Sequence, residues 1–145
     1  MTATIPPFDF DAMYAKVPTV WKERRLHWHC YSWRGTGADW ANDSLRHTDS
    51  ADITPSAVRA WLQKPQRLIR QICSTPEEAA EWEMKQWTRA RAEALTTVPD
   101  WVSDDSHERA SLYELRSGND LSQGLWVKGQ SMVSWAVIGT ADACH

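Results

Sequence analysis

Alternating apolar and polar positions predict β structure early in the chain. Residues 25–33 are rich in aromatic side chains and contain no helix breaker, which favours a strand. A period of two divides this strand into one face with Trp28 and Cys30 and another face with His27, His29, Tyr31 and Trp33. Because both faces carry aromatic residues, we expect an inner strand that is covered on both sides.

A second β segment is predicted near the C-terminus. Two apolar runs within residues 122–139 flank Gly129-Gln130. Glycine at the first position of a two-residue loop is typical of a type II′ hairpin. This turn aligns Trp126 with Val133 and so places Trp126 and Trp135 on the same face of the hairpin.

Helical spacing predicts helices between these two segments. Thr54-Pro55 is typical of a helix start, and apolar residues continue at helical spacing to Ile72. Pro65 interrupts this run and predicts a kink or two short helices. Thr75-Pro76-Glu77-Glu78 has the pattern of a capping box and predicts a helix over residues 76–95.

Residues 110–116 fit either a strand or a short helix. Tyr113 and Leu115 alternate with charged residues, whereas Asp105 and Glu108 would suit the start of a helix. We favour the strand, which would end at a turn formed by residues 117–120.

This order of elements predicts a single α+β domain. An antiparallel sheet, made of one early strand plus a C-terminal meander or hairpin, would pack against two or three central helices. We expect residues 21–140 to form this domain. Residues 1–20 are predicted to be a loosely structured N-terminal arm, and residues 141–145 a frayed tail.

Ten tryptophans among 145 residues point to a contact surface. The interior of a chain of this length is too small to bury ten indoles easily. Trp82 falls outside the apolar arc of the predicted 76–95 helix, and Trp40 lies in a polar loop. Together with Tyr31 and Trp33 they are candidate binding residues for a partner protein or a second copy of the chain. The alternatives are that the arm covers Trp82 and that Trp40 pins its loop to the core.

Two histidines and one glutamate are weak candidates for catalysis. His27 and His29 point the same way on the predicted strand and could share a metal ion with a third ligand, or could be ordinary surface histidines. Glu83 lies inside the apolar arc of its helix, where a carboxylate must be paired or must hold a proton as a general acid would. The alternative is a salt bridge to an arginine such as Arg91 or Arg109. If His27, His29, Tyr31 and Glu83 converged, the chain would be a small enzyme or a ligand-binding protein with an aromatic-lined pocket.

The charge distribution adds a third hypothesis. The chain has a net charge of −3, but residues 1–75 carry 10 basic and 7 acidic side chains and residues 76–145 carry 6 and 12. The basic half either forms a face for an acidic partner or simply packs against the acidic half. Basic residues recur among aromatic residues, a pattern that nucleic-acid-binding proteins use: Arg24, Arg25, Arg34, Arg46, Arg59, Lys64, Arg67 and Arg70. The overall acidity, with a pI near 5.9, argues against nucleic-acid binding.

Motifs of the common enzyme classes are absent from the sequence. There is no P-loop, dinucleotide fingerprint, zinc-protease helix or nucleophile elbow, and we expect no cofactor. No apolar stretch is long enough to span a membrane, and the first residues do not resemble a secretory signal. Three widely spaced cysteines, Cys30, Cys73 and Cys144, are typical of free thiols in the cytoplasm. The arginine- and alanine-rich composition suggests a bacterial or phage genome. We therefore expect a small cytoplasmic binding or adaptor protein that engages a partner protein or itself through exposed tryptophans.

Overall fold

Four antiparallel strands form one sheet in the order β2-β1-β4-β3. The strands are β1 (His27–Thr36), β2 (Ile69–Cys73), β3 (Leu121–Val127) and β4 (Ser131–Thr140). β1 and β4 pair along their whole length and occupy the centre of the sheet. The computed structural model describes residues 17–95 and 104–142.

Two longer helices and several short ones surround the sheet. The helices are α1 (Val20–Glu23), α2 (Gly37–Trp40), α3 (Asp43–Arg46), α4 (Pro76–Glu93) and α5 (Asp104–Arg116), and two 3₁₀ helices span Val58–Gln63 and Gln66–Leu68. The predicted capping box begins α4, because the Thr75 hydroxyl accepts a hydrogen bond from the Glu78 amide at 3.2 Å. The predicted α+β fold is confirmed.

The two faces of the sheet are covered in different ways. On one face, α4 and α5 pack against a cluster that includes Trp28, Cys30 and Trp135. On the other face, the 3₁₀ region covers Tyr31, whose ring stacks on Trp61 at 4.9 Å between ring centroids. β1 is therefore an inner strand buried on both sides, as its sequence predicts.

Lys64 and Arg46 organise the irregular chain that covers the second face. Lys64 is 5% exposed, and its ammonium donates hydrogen bonds to the carbonyls of Thr48 at 2.7 Å and Ala51 at 3.1 Å. Burial lowers the pKa of Lys64, although nearby Asp49 and Asp52 act in the opposite direction. Arg46 donates to the carbonyls of residues 40, 54 and 55. These bonds satisfy carbonyls that a regular helix or strand would otherwise pair.

The segment over residues 55–72, for which Pro65 predicts a kink or two short helices, does contain two short helices, of the 3₁₀ type, on either side of Pro65. Its last part is strand β2 rather than helix. Ile69 and Ile72 fit helical spacing, but in the fold they pair with Tyr31 and His29 of β1. Pro65 ends the first 3₁₀ region, and the chain then enters the sheet. Pairing with a distant strand thus overrides the local pattern.

The predicted strand at residues 110–116 is also wrong, because this segment is the second half of α5. Ser111 and Leu115 are buried four residues apart, which is the spacing of a helix that packs on one side. The predicted turn at residues 117–120 is present, and Gly118 there has φ of +84°.

The C-terminal hairpin exists, but its predicted register is wrong by one residue. Trp126 pairs with Met132 rather than Val133, and three residues connect the strands. Gly129 and Gln130 both have positive φ values, of +81° and +57°. A one-residue shift reverses the face of every side chain, so Trp126 and Trp135 lie on opposite faces of the sheet.

The domain boundaries remain predictions. Residues 1–16 of the expected arm and residues 143–145 of the expected tail lie outside the described residues. Within the described part of the arm, Val20 begins α1.

Candidate functional site

The tryptophans divide into buried, half-buried and exposed groups. Nine of the ten are described, and five are buried: Trp28, Trp61, Trp82, Trp87 and Trp135. Trp82 is only 7% exposed, so its expected position on the solvated side of the helix is wrong. It belongs to the same buried cluster as Leu26 and Leu115, so the fold covers a side of α4 that the helical pattern of the sequence predicts to be exposed.

Tyr31, Trp33 and Trp40 lie on the face of the sheet opposite α4. Tyr31 is buried, whereas Trp33 and Trp40 are half-buried. The two indoles stack at 6.4 Å between centroids, and the Arg46 guanidinium lies 3.9 Å from the Trp40 ring. Trp40 therefore pins its loop to the sheet, as the alternative interpretation expected, and both rings keep some exposed surface.

His27, His29 and Tyr31 form a short chain of polar contacts. The Nε2 atoms of the two histidines are 3.1 Å apart, and the Tyr31 hydroxyl lies 3.4 Å from His29 Nδ1. Burial, with a smaller contribution from His27, lowers the pKa of His29. His29 and Tyr31 line a cavity of about 210 Å³. Among the described residues, no group of three histidine, cysteine or acidic side chains is arranged to hold a metal ion.

Glu83 does not join this cavity. It lies on α4, on the other face of the sheet, where it is fully buried. Its carboxylate accepts hydrogen bonds from His107 Nε2 at 2.8 and 2.9 Å and from Trp135 Nε1 at 3.0 Å. The expected convergence of His27, His29, Tyr31 and Glu83 is therefore wrong, because the sheet separates Glu83 from the other three.

His107 is the residue that sequence reasoning misses as the partner of Glu83. Its ring stacks on Trp87 at 4.2 Å between centroids and 8° between planes. Neither Glu83 nor His107 lines any of the five main cavities formed by the described residues. The pair thus joins α4 to α5 inside the core, where it can orient the two helices.

Cys30 and Cys73 are both fully buried, with their Sγ atoms 3.9 Å apart. Cys30 faces α4 and points away from His27 and His29, which excludes a nucleophile and base pair between these neighbours. The contact with Cys73 and, to a smaller extent, burial raise the pKa of the Cys30 thiol. The two thiols therefore behave as core side chains.

A strongly charged concave surface lies beside the second half of β1. Two adjoining depressions, of about 400 and 250 Å³, share four lining residues: Ser32, Trp33, Arg34 and Arg70. Arg67 and Asp52 line the larger depression, and Arg89 and Glu93 line the smaller one. We call this surface the arginine groove.

Two of the four arginines in the groove are paired with acids. Arg67 forms a two-pronged ion pair with Asp52, with N–O distances of 2.5 and 2.6 Å, and its guanidinium lowers the pKa of Asp52. Arg34 pairs with Glu93 at 3.0 Å. Arg70 and Arg89 form no ion pair with any other described residue. Four arginines against two carboxylates leave the groove with a net charge of +2.

Trp33 packs closely against two neighbours in the groove. Its indole lies against Gly35, where an added Cβ atom would overlap the ring, and it also stacks on Trp40. Of the four basic residues that recur between residues 59 and 70, only Arg67 and Arg70 line the groove. Lys64 is buried, and Arg59 pairs with Asp120 at 2.8 Å.

Comparisons with known proteins give no further guide, since no protein-family model, curated protein or solved structure matches this chain. None of the described helices is both long enough and apolar enough to cross a membrane.

Proposed function

We propose that the chain is a binding protein that engages an acidic partner protein through the arginine groove. One observation carries the proposal: Arg70 and Arg89, which have no acidic partner within the described residues, converge beside the half-buried Trp33. Interfaces are enriched in arginine and tryptophan, and arginine binds carboxylates with two parallel hydrogen bonds.

The elements that hold the arginines are rigid enough to present them together. Arg34 lies on the central strand β1, Arg70 on β2, and Arg89 on α4. Side chains on strands and helices keep their relative positions better than side chains on loops, which lowers the entropy cost of binding.

An acidic protein fits the groove better than a nucleic acid does. Asp52 lines one depression and Glu93 lines the other, so each depression carries a carboxylate among its arginines. A phosphate backbone carries a charge at every nucleotide and would meet both carboxylates, whereas a protein segment can place its acidic residues only opposite Arg70 and Arg89.

A peptide titration tests the proposal. The probe is a fluorescein-labelled eight-residue peptide of alternating glutamate and threonine, and its binding is followed by fluorescence anisotropy. We expect saturable binding that weakens with salt, and a Kd at least ten times larger for the double variant Arg70→Ala, Arg89→Ala. The matched control is Lys85→Ala, Lys128→Ala, which removes the same charge from exposed positions outside the groove and should change the Kd less than twofold.

Three outcomes would overturn the proposal. The first is equal loss of binding in both double variants, which would mean that only net charge matters. The second is tight, salt-dependent binding of single-stranded DNA with no binding of the peptide, which would favour the nucleic-acid alternative. The third is a dimer by light scattering that the Arg70 and Arg89 substitutions dissociate, which would make the partner a second copy.

A further inference from the structure

The second half of β1 has an open backbone edge. β2 pairs with β1 only from Trp28 to Tyr31, whereas β4 pairs with β1 as far as Thr36. The 3₁₀ helix Gln66–Leu68 turns the chain away from β1 where β2 would otherwise continue. Residues 32–36 therefore have a strand neighbour on one side only.

One contact shows which backbone N–H and C=O groups point to the open edge. The Ser32 carbonyl accepts a hydrogen bond of 3.5 Å from Arg70 Nη2, so this carbonyl points to the open side. In a β-strand the N–H and C=O of one residue point to the same edge, and the direction alternates along the chain. Arg34 therefore also directs its N–H and C=O to the open side, two residues further on.

The two depressions of the arginine groove flank this edge on opposite faces of the sheet. The larger depression includes Trp61 and Leu68 of the region that covers the Tyr31 face. The smaller one includes Gln86 and Ala90 of α4, which covers the Trp28 face. Successive side chains of a strand added at this edge would point alternately into the two depressions.

We propose that an extended acidic segment of the partner protein binds by adding a strand to β1 beside Ser32–Thr36. Backbone hydrogen bonds to Ser32 and Arg34 would align the segment, and acidic side chains would meet Arg70 and Arg89. The occupant is an acidic peptide segment because the flanking depressions carry a net positive charge. This inference rests on the proposed function, and it adds the conformation and the register of the bound segment.

N-methylation of the peptide tests the inference directly. A methyl group on an amide nitrogen removes one donor and blocks pairing at that edge, but leaves the charges in place. Two versions of the glutamate and threonine peptide are compared, methylated at alternate amides in one register or in the other. We expect one version to bind at least ten times more weakly and the other to change less than threefold.

Amide hydrogen exchange provides a second, independent measurement. Binding of the unmethylated peptide should slow exchange of the Arg34 amide at least tenfold. The amides of β3, at the opposite edge of the sheet, serve as the control and should not change.

The two proposals fail in different ways. If the peptide binds but both methylated versions bind as well as the parent, and the Arg34 amide exchanges at an unchanged rate, strand addition is wrong and the groove function stands. Equal weakening by both methylation patterns, without slower exchange at Arg34, also overturns strand addition. If no acidic peptide binds, the proposed function and this inference both fail.

Discussion

Breaking the buried contact between Glu83 and His107 should lower the free energy of unfolding more than the substitution of an exposed residue does. The perturbation is Glu83→Leu, which removes the acceptor for His107 Nε2 and Trp135 Nε1 together and leaves the shape of the side chain similar. Both donors lie where water has little access, since the His107 side chain is 11% exposed and Trp135 is 1% exposed.

The expected magnitude follows from the number of donors left without a partner. A hydrogen bond to a charged group contributes about 1.5–3 kcal/mol, and two such bonds are lost. Each buried donor that is left without an acceptor costs about 1–3 kcal/mol, which gives a similar total for the two donors. We therefore expect the free energy of unfolding to fall by about 3–5 kcal/mol.

Urea denaturation of four proteins measures the effect and its origin. They are the wild type, Glu83→Leu, His107→Phe, and the double variant, each followed by circular dichroism. The loss of unfolding free energy in the double variant should be smaller than the sum of the losses in the two single variants, by at least about 2 kcal/mol. The reason is that two apolar side chains leave no charge unpaired. The control Glu81→Leu alters an exposed residue of α4 whose contact with Lys85 is 3.8 Å, and should change stability by less than about 0.5 kcal/mol.

Two results would refute this reasoning. A loss below about 1 kcal/mol for Glu83→Leu would mean that water reaches the site or that the helices shift to release it. Additive effects of the two single substitutions, within about 0.5 kcal/mol, would mean that Glu83 and His107 do not interact.

Three further predictions follow from other buried polar groups. Lys64→Met should lower the free energy of unfolding, measured by urea denaturation, by about 2–3 kcal/mol, because three carbonyls lose a charged donor. A loss no larger than that of Lys85→Met would contradict this role of Lys64. The lowered pKa of His29 means that the unfolded state binds more protons below about pH 6.5, so stability should fall as pH falls below that value. His29→Phe should reduce the difference in unfolding free energy between pH 7.5 and 5.5, and an unchanged difference would refute the assignment. In a Cys144→Ser background, Cys30 and Cys73 should react with a thiol reagent only after unfolding, since both are fully buried. Prompt reaction of the native protein would contradict this prediction and would mean that β2 separates from β1.

Local patterns in the sequence predicted those elements whose causes are local. The capping box at Thr75 fixes the start of α4 by a hydrogen bond within one turn. The aromatic run of β1 and the position of the turn at Gly129 carry their own signals, although the turn has three residues rather than the predicted two. β2 and α5 were predicted wrongly because Ile69, Ile72 and Leu115 acquire their environment from β1 and α4, which lie far away in the chain.

The candidate site could be predicted less well than the fold. Arg34, Arg70 and Arg89 lie on three different elements, and only the pairing of β1 with β2 and the packing of α4 bring them together. The uneven charge of the two halves left open whether they form a basic face or simply pack together, and it located no such face. Glu83 was correctly identified as a residue that needs a partner, but its partner His107 is 24 residues away and carries no recognisable spacing.

The structure explains part of the high tryptophan content. Five buried indoles fill the two cores, while Trp33 and Trp40 are half-buried and Trp126 is 43% exposed. Exposure alone therefore does not select the site, because Trp126 has no charged groove beside it whereas Trp33 lies among four arginines.

The open edge of β1 has a cause in the sequence, at Lys64-Pro65. A proline disfavours helical backbone in the residue before it, and Lys64 is extended, with φ of −72° and ψ of 161°. The same lysine is anchored by its ammonium to three carbonyls of the covering loop, which fixes the point where the chain turns into Gln66–Leu68. For β2 to extend beside Ser32 and close the edge, residues 66–68 would have to leave their 3₁₀ turn. The buried Lys64, which anchors the chain that covers the Tyr31 face of the sheet, thus lies directly before the turn that leaves the edge beside the arginine groove open.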